Sequence, residues 1–98
     1  MESEKITTYY TYMLRCADGT LYSGYTTDPS RRTALHNSGK GAKYTRSRRP
    51  VELIFVECYP TKSEALQREA ALKKLSRAQK LLLIEQTGSQ TETADANG

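Results

Sequence analysis

The sequence predicts an α/β (α+β) domain: a small three-stranded antiparallel sheet flanked by helices, in the order strand, strand, helix, strand, helix, helix. Three observations lead there. The 98 residues suffice for one hydrophobic core and not for two. The first half carries runs of β-branched and aromatic residues around a turn signal, Ala17-Asp18-Gly19. The second half twice shows a helix-start pattern, Thr61 with Glu64 and Ser76 with Gln79.

The elements follow in chain order. TTYYTYMLRC, residues 7–16, alternates loosely and reads as a strand, with TLYSGY, residues 20–25, as its returning partner. Two hairpin registers are open. A two-residue Asp18-Gly19 turn pairs Ala17 with Thr20 and sets Tyr12 opposite Tyr25. A three-residue loop with a left-handed Gly19 pairs Cys16 with Thr20 and brings Tyr12 and Tyr22 onto one face. Asp28 caps a helix with Pro29 at its first position, and Asn37, Ser38 and Gly39 stop it. Residues 40–50 form a Gly- and Arg-rich connector with a helical turn around Tyr44. VELIFVECY, residues 51–59, is nearly continuous in apolar character and reads as a central, well-buried strand. Helices follow from Thr61 to about Leu75 and from Ser76 onward, the latter carrying Leu81 to Ile84. The stretch QTGSQTETADANG has no large apolar residue, so the reading is one domain over residues 1–85 and a disordered tail over 86–98.

Net charge is +4, and its distribution says more than its size. Between Pro29 and Val51 there is no acid, yet Arg31, Arg32, Lys40, Lys43, Arg46, Arg48 and Arg49 all fall there. A solvated basic loop would be the plain explanation. A run this long without one acid favours a polyanionic partner, whose phosphates shed counterions on contact. Cys16 and Cys58 are far apart with a single histidine in the chain, which argues against zinc and for two buried reduced thiols. No apolar run approaches the ~20 residues of a membrane span. The first residues lack a signal-peptide pattern, so the expected location is the cytoplasm.

Three groups of side chains invite chemistry. Glu69 falls on the apolar stripe of its helix with Ala65, Leu66 and Leu72. A carboxylate there needs compensation, either from Lys73 four residues on or from a divalent cation. Five tyrosines crowd the hairpin, where ordinary sheet packing would account for them. Arg32 and His36 share one face of the short helix.

Taken in order, these residues resemble the GIY-YIG nuclease family, in particular its small stand-alone bacterial members. The first motif stands as Tyr10-Thr11-Tyr12 and the second as Tyr22-Ser23-Gly24. The family's arginine falls on Arg32, its helix histidine on His36, and its metal-binding glutamate on Glu69 within SEALQREAALKKL. HNSGKGAKYTRSRRPVEL matches the stand-alone subgroup, and the likeness runs from about residue 9 to 84. The glycine and isoleucine of the first motif and the isoleucine of the second are replaced, while both tyrosines remain.

The resemblance implies a metal-dependent endonuclease hydrolysing phosphodiester bonds in DNA, with one divalent cation, Mg²⁺ or Mn²⁺, on Glu69. It implies that Arg32 neutralises the phosphate, Tyr12 orients or deprotonates water, Tyr22 fixes phosphate or water, and His36 assists. Arg31, Lys40, Lys43, Arg46, Arg48 and Arg49 are the expected DNA contacts. The site needs both phenols on one face, which selects the three-residue hairpin loop. Family members often carry a targeting domain, for which this chain has no room; a monomer served by a separate targeting protein is the expectation. The alternative is a non-catalytic nucleic-acid-binding module that uses residues 31–49.

Overall fold

The computed structural model describes residues 7–97, with side chains through residue 87. Strands β1 (Tyr9–Arg15), β2 (Leu21–Thr26) and β3 (Glu52–Tyr59) form one antiparallel sheet in the order β2-β1-β3. Helix α1 (Pro29–Asn37) and the single turn α2 (Lys43–Arg46) connect β2 to β3, and α3 (Lys62–Lys73) and α4 (Arg77–Asn97) follow. Thr61 Oγ1 accepts the Glu64 N–H at 3.2 Å, and Ser76 and Gln79 cap α4 reciprocally at 2.9 and 3.1 Å. No described helix is long and apolar enough to cross a membrane.

The hairpin takes the three-residue loop. Cys16 N–H donates to Thr20 O and Gly19 N–H to Cys16 O, both at 2.9 Å, with Gly19 at φ +86°. Glycine enters that region without steric cost. Asp18 decides between the registers, because its carboxylate accepts from Thr20 N at 3.1 Å, Thr20 Oγ1 at 2.6 Å and Arg48 Nε at 3.1 Å. Tyr12 consequently lies opposite Gly24 and Leu14 opposite Tyr22, so both phenols project from one face.

The third strand is not central. That position belongs to β1, while β3 is an edge that exposes Val56 and Cys58. The apolar run of β3 arises because residues of both its faces enter a core. One cluster joins Tyr12, Leu14, Cys16 and Val51, with Tyr22 and Leu53 against it. The other joins Met13, Phe55 and Leu72, with Ile54, Leu75, Leu83 and Ile84 against it. Polar residues hid the central strand. Thr11 to Leu14 are all buried, and Thr11 remains there because its hydroxyl donates to Ala65 O at 2.7 Å. Of the two free cysteines only Cys16 is buried; Cys58 is exposed, on the same side of β3 as the exposed Val56.

On the α3 side Arg68 holds the helix to β3, donating to Glu57 at 2.7 and 3.3 Å. Helix α4 continues through Asn97, past Glu85 where the sequence reading ends the ordered chain. Its backbone is helical over 86–97, a stretch with no proline to stop it. Side chains beyond residue 87 and residue 98 lie outside the described residues.

The Thr11–Ala65 bond links the central strand to α3. Thr11→Val keeps the volume and removes one buried hydrogen bond. Chemical denaturation should show a loss of about 1 kcal/mol; unchanged stability would mean that the bond contributes nothing.

Candidate functional site

Helix α1 begins where Asp28 Oδ1 accepts the Arg31 N–H at 3.1 Å, with Pro29 in the first turn. This start sets the phase of everything after it. Arg32 is exposed, whereas His36, one turn later, is 1% exposed against the sheet. The two residues share a face of the helix, with Arg32 at its rim and His36 in the interior, near enough for the guanidinium to act on the imidazole.

His36 meets Tyr12 there. Tyr12 Oη and His36 Nε2 are 3.0 Å apart, and Tyr12 itself is 2% exposed. The ring crosses β2 at Gly24, where a Cβ would lie 2.5 Å from Tyr12 Oη and 2.6 Å from Cζ. No other residue fits opposite this phenol without displacing it. The loop after α1 closes over the imidazole with the same economy, since a Cβ on Gly41 would collide with His36 Nδ1. Thr45, fully buried in α2, completes the enclosure, with its Oγ1 2.8 Å from His36 Nδ1.

Tyr22 lies half-buried beside this pair. Its ring is 6.4 Å from that of Tyr12 and packs edge-on against His36 at 5.3 Å. On its other side Tyr44 stacks at 5.9 Å, and the Arg48 guanidinium covers Tyr44 at 3.9 Å. A column from imidazole to guanidinium therefore walls the site.

Burial dominates the electrostatics. It drives the Tyr12 phenol well above its ordinary value, reinforced by Tyr22 and Glu69 and opposed by Arg32. Burial also lowers His36, and Arg32 lowers it further. At neutral pH both groups of the hydrogen-bonded pair are uncharged. Arg32 and Glu69 thus bring opposite charges to bear on one phenol from α1 and α3.

Glu69 unites the two readings of its helix position. Its side chain is 19% exposed and its Oε2 pairs with Lys73 Nζ at 3.1 Å, while its charge also reaches Tyr12. No group of three or more His, Cys, Asp or Glu side chains forms a metal cage among the described residues. One carboxylate at the rim nevertheless fits Mg²⁺, which keeps several waters and takes its remaining oxygens from substrate phosphate.

The basic segment divides in two. Arg48 is committed to other residues of the chain, to Asp18, to Tyr44 O at 2.8 Å and to the Tyr44 ring. Arg49 donates to Arg46 O at 2.8 Å and to Asn37 O at 3.4 Å. By contrast, the side chains of Arg31, Arg32, Lys40, Lys43 and Arg46 are exposed and make no hydrogen bond or ion pair among the described residues. A cavity of about 310 Å³ lined by Thr26, Thr27, Asp28, Arg31, Arg32 and Leu35 opens beside this free group.

Sequence reasoning overlooked Thr45, Tyr44 and Asn37 as parts of the site. Asn37 appeared only as a helix stop, yet its amide pairs both ways with the Val51 backbone, at 3.0 and 2.7 Å, and aligns β3. The buried threonine had one available signal, a β-branched hydroxyl within a short helical turn between Tyr44 and Arg46.

Residues 8–81 match the GIY-YIG catalytic domain. A UPF0213 protein of Bacillus pumilus is 55% identical over 84 residues, covering 86% of each chain. One from Natronomonas pharaonis is 56% identical over 81 residues, 82% of this chain and 95% of its own. Two solution NMR structures share the fold with TM-scores of 0.57. A UPF0213 protein from Bacillus halodurans is 46% identical, with 89% of this chain and 93% of that chain covered. A protein from E. faecalis is 51% identical, with 90% and 92% covered.

The lowered His36 has a consequence for stability. An unfolded histidine titrates near ~6.5, so below that pH the unfolded chain binds a proton that the folded chain resists. The contribution is complete above about pH 6.5 and is lost as pH falls through the folded value. A proton NMR titration of this one histidine should give a midpoint below ~6.5, with a lower denaturation midpoint at about pH 5.5 than at 7.5. A midpoint at or above the ordinary value would contradict the assignment.

Proposed function

The chain belongs to the GIY-YIG family of nuclease domains, and on that premise we propose that it is a divalent-metal-dependent endonuclease hydrolysing phosphodiester bonds in DNA. The observation that carries this reading is convergence. Tyr12, Tyr22 and His36 lie in mutual ring contact, and Arg32 and Glu69 both act on the Tyr12 phenol. These residues come from β1, β2, α1 and α3, and the opposite charges of an exposed guanidinium and a rim carboxylate on separate helices both bear on one buried phenol.

The roles follow from exposure. Arg32 and the half-buried Tyr22 meet an incoming phosphate first, and Arg32 neutralises the charge that builds on it. Tyr12 acts from behind them, orienting the attacking water or taking its proton, with His36 as the partner that makes a raised phenol usable. Glu69 is the residue that would hold Mg²⁺ or Mn²⁺, which when bound polarises the phosphate and neutralises its charge. Lys73 keeps the carboxylate paired until then. Arg31, Lys40, Lys43 and Arg46 supply the electrostatic track for the flanking backbone, while Arg48 and Arg49 shape the wall of the site rather than bind directly. On this reading residues 1–85 act as one domain in a monomer.

A non-catalytic nucleic-acid-binding module is the second reading. The closed Glu69–Lys73 pair favours it, because that pair satisfies the carboxylate without any ion.

One comparison separates the two. Wild type and Glu69→Gln are incubated with labelled duplex, nicked, branched and single-stranded DNA, with and without Mg²⁺ or Mn²⁺, while binding and melting are followed in parallel. The nuclease reading expects metal-dependent cleavage that falls by about 10²–10³ in the variant, with DNA affinity held or improved. No cleavage by wild type on any substrate, together with a less stable Glu69→Gln, would leave the binding module in its place.

A further inference from the structure

Resting on the reading of Tyr12 and His36 above, we infer that Thr45 is a positioning residue that fixes the imidazole tautomer and thereby makes His36 the acceptor of the Tyr12 proton. The protons around the imidazole can be counted. Thr45 Oγ1 has two short neighbours, Ala42 O at 2.9 Å and His36 Nδ1 at 2.8 Å. A carbonyl oxygen can only accept, so the hydroxyl proton goes to Ala42. The hydroxyl oxygen must then accept at its second contact, which places the proton on His36 Nδ1. A neutral imidazole carries one proton, and burial together with Arg32 keeps this ring neutral. Nε2 therefore presents a lone pair to Tyr12 Oη, and the phenol donates along the 3.0 Å bond.

The competing arrangement is weaker. It would send the threonine proton to Nδ1 and leave two oxygen lone pairs facing each other at 2.9 Å. Its one gain is a bond from the Ala42 N–H to Nδ1, which at 3.4 Å is long; in the assigned tautomer that N–H faces Nδ1–H instead, a weaker repulsion at this distance than the one between two oxygens at 2.9 Å.

The direction of donation matters for the chemistry. With its own proton directed to His36, Tyr12 Oη has lone pairs free for a water. As that water attacks phosphorus, the bond from phosphorus to the leaving oxygen breaks; the water proton passes to Tyr12 Oη, the phenol proton passes to Nε2, and the departing oxygen takes a proton from solvent. The imidazole becomes a cation, the phenol is restored, and no tyrosinate needs to accumulate. The opposite tautomer would have Nε2–H donating to Tyr12 and could take no proton from the phenol. Thr45, wholly buried with no route to substrate, sets this from α2.

The chain has one histidine, so the imidazole nitrogens can be read directly by long-range ¹⁵N–¹H NMR of the full-length protein. Wild type near neutral pH should show a protonated Nδ1 and an unprotonated Nε2. Thr45→Val should shift the ring toward the Nε2–H form and lower kcat by at least about tenfold with little change in KM; Thr45→Ser should restore both. An Nε2–H tautomer in wild type would overturn the inference, as would a Thr45→Val protein that keeps Nδ1–H. If Thr45→Val does not fold, the wild-type spectrum still decides. That spectrum needs no substrate, so absence of cleavage would count against the nuclease reading and not against the tautomer.

Discussion

The hydrogen bond between Tyr12 and His36 ties the central strand to α1, and the rest of the site is arranged around the space it requires. Tyr12 can lie across β2 only because Gly24 presents no side chain, and that pairing exists only because the hairpin adopts a three-residue loop. The imidazole can be fully enclosed only because Gly41 lets the following loop pass over it and Thr45 satisfies its second nitrogen. Two uncharged, hydrogen-bonded rings in the interior are stable where two charges would not be. The cost is reactivity: a phenol raised by burial is a poor base until something nearby takes its proton or neutralises its surroundings.

Charge is accordingly kept at the rim. Arg32 is exposed one turn from His36, and Glu69 occupies the boundary of α3 with Lys73 as its partner. Neither pays the full desolvation of a buried ion, yet both act on Tyr12. The acid-free stretch between Pro29 and Val51 has a similar division of labour. Arg48 braces the hairpin through Asp18 and covers Tyr44, so its removal would disturb the register that brings Tyr12 and Tyr22 together. Such an arginine belongs to the architecture of the site even though its charge suggested a direct contact.

Much of the fold was legible because local signals agreed with one another. Asp28 with Pro29, Thr61 with Glu64 and Ser76 with Gln79 mark helix starts that the structure reproduces. The hairpin was only half legible: Asp18-Gly19 fits either loop, and the choice depends on Asp18 bonding Thr20 and Arg48, the latter thirty residues away. Strand order was misjudged because hydropathy ranks Thr11 and Tyr12 as polar, whereas each becomes buried by placing its hydroxyl on a distant partner. Tyr12, Tyr22, Arg32, His36 and Glu69 could be picked out as a set by their motif. Thr45 and Asn37 could not, because their roles exist only once α2 and β3 are folded against α1.

On the proposed reading, these side chains form one metal-dependent phosphodiesterase site, with Glu69 as its anchor. Paramagnetic broadening by Mn²⁺ tests it most directly, since the ion reports where it binds whether or not the preferred substrate is known. Trace Mn²⁺ added to the isotope-labelled protein with a short non-cleavable DNA strand should broaden resonances of Glu69, Tyr12 and the Arg32 side chain first. Glu69→Gln should abolish that pattern. Broadening that leaves Glu69 and Tyr12 sharp and centres on other carboxylates, such as Asp18 or Glu52, would contradict the account.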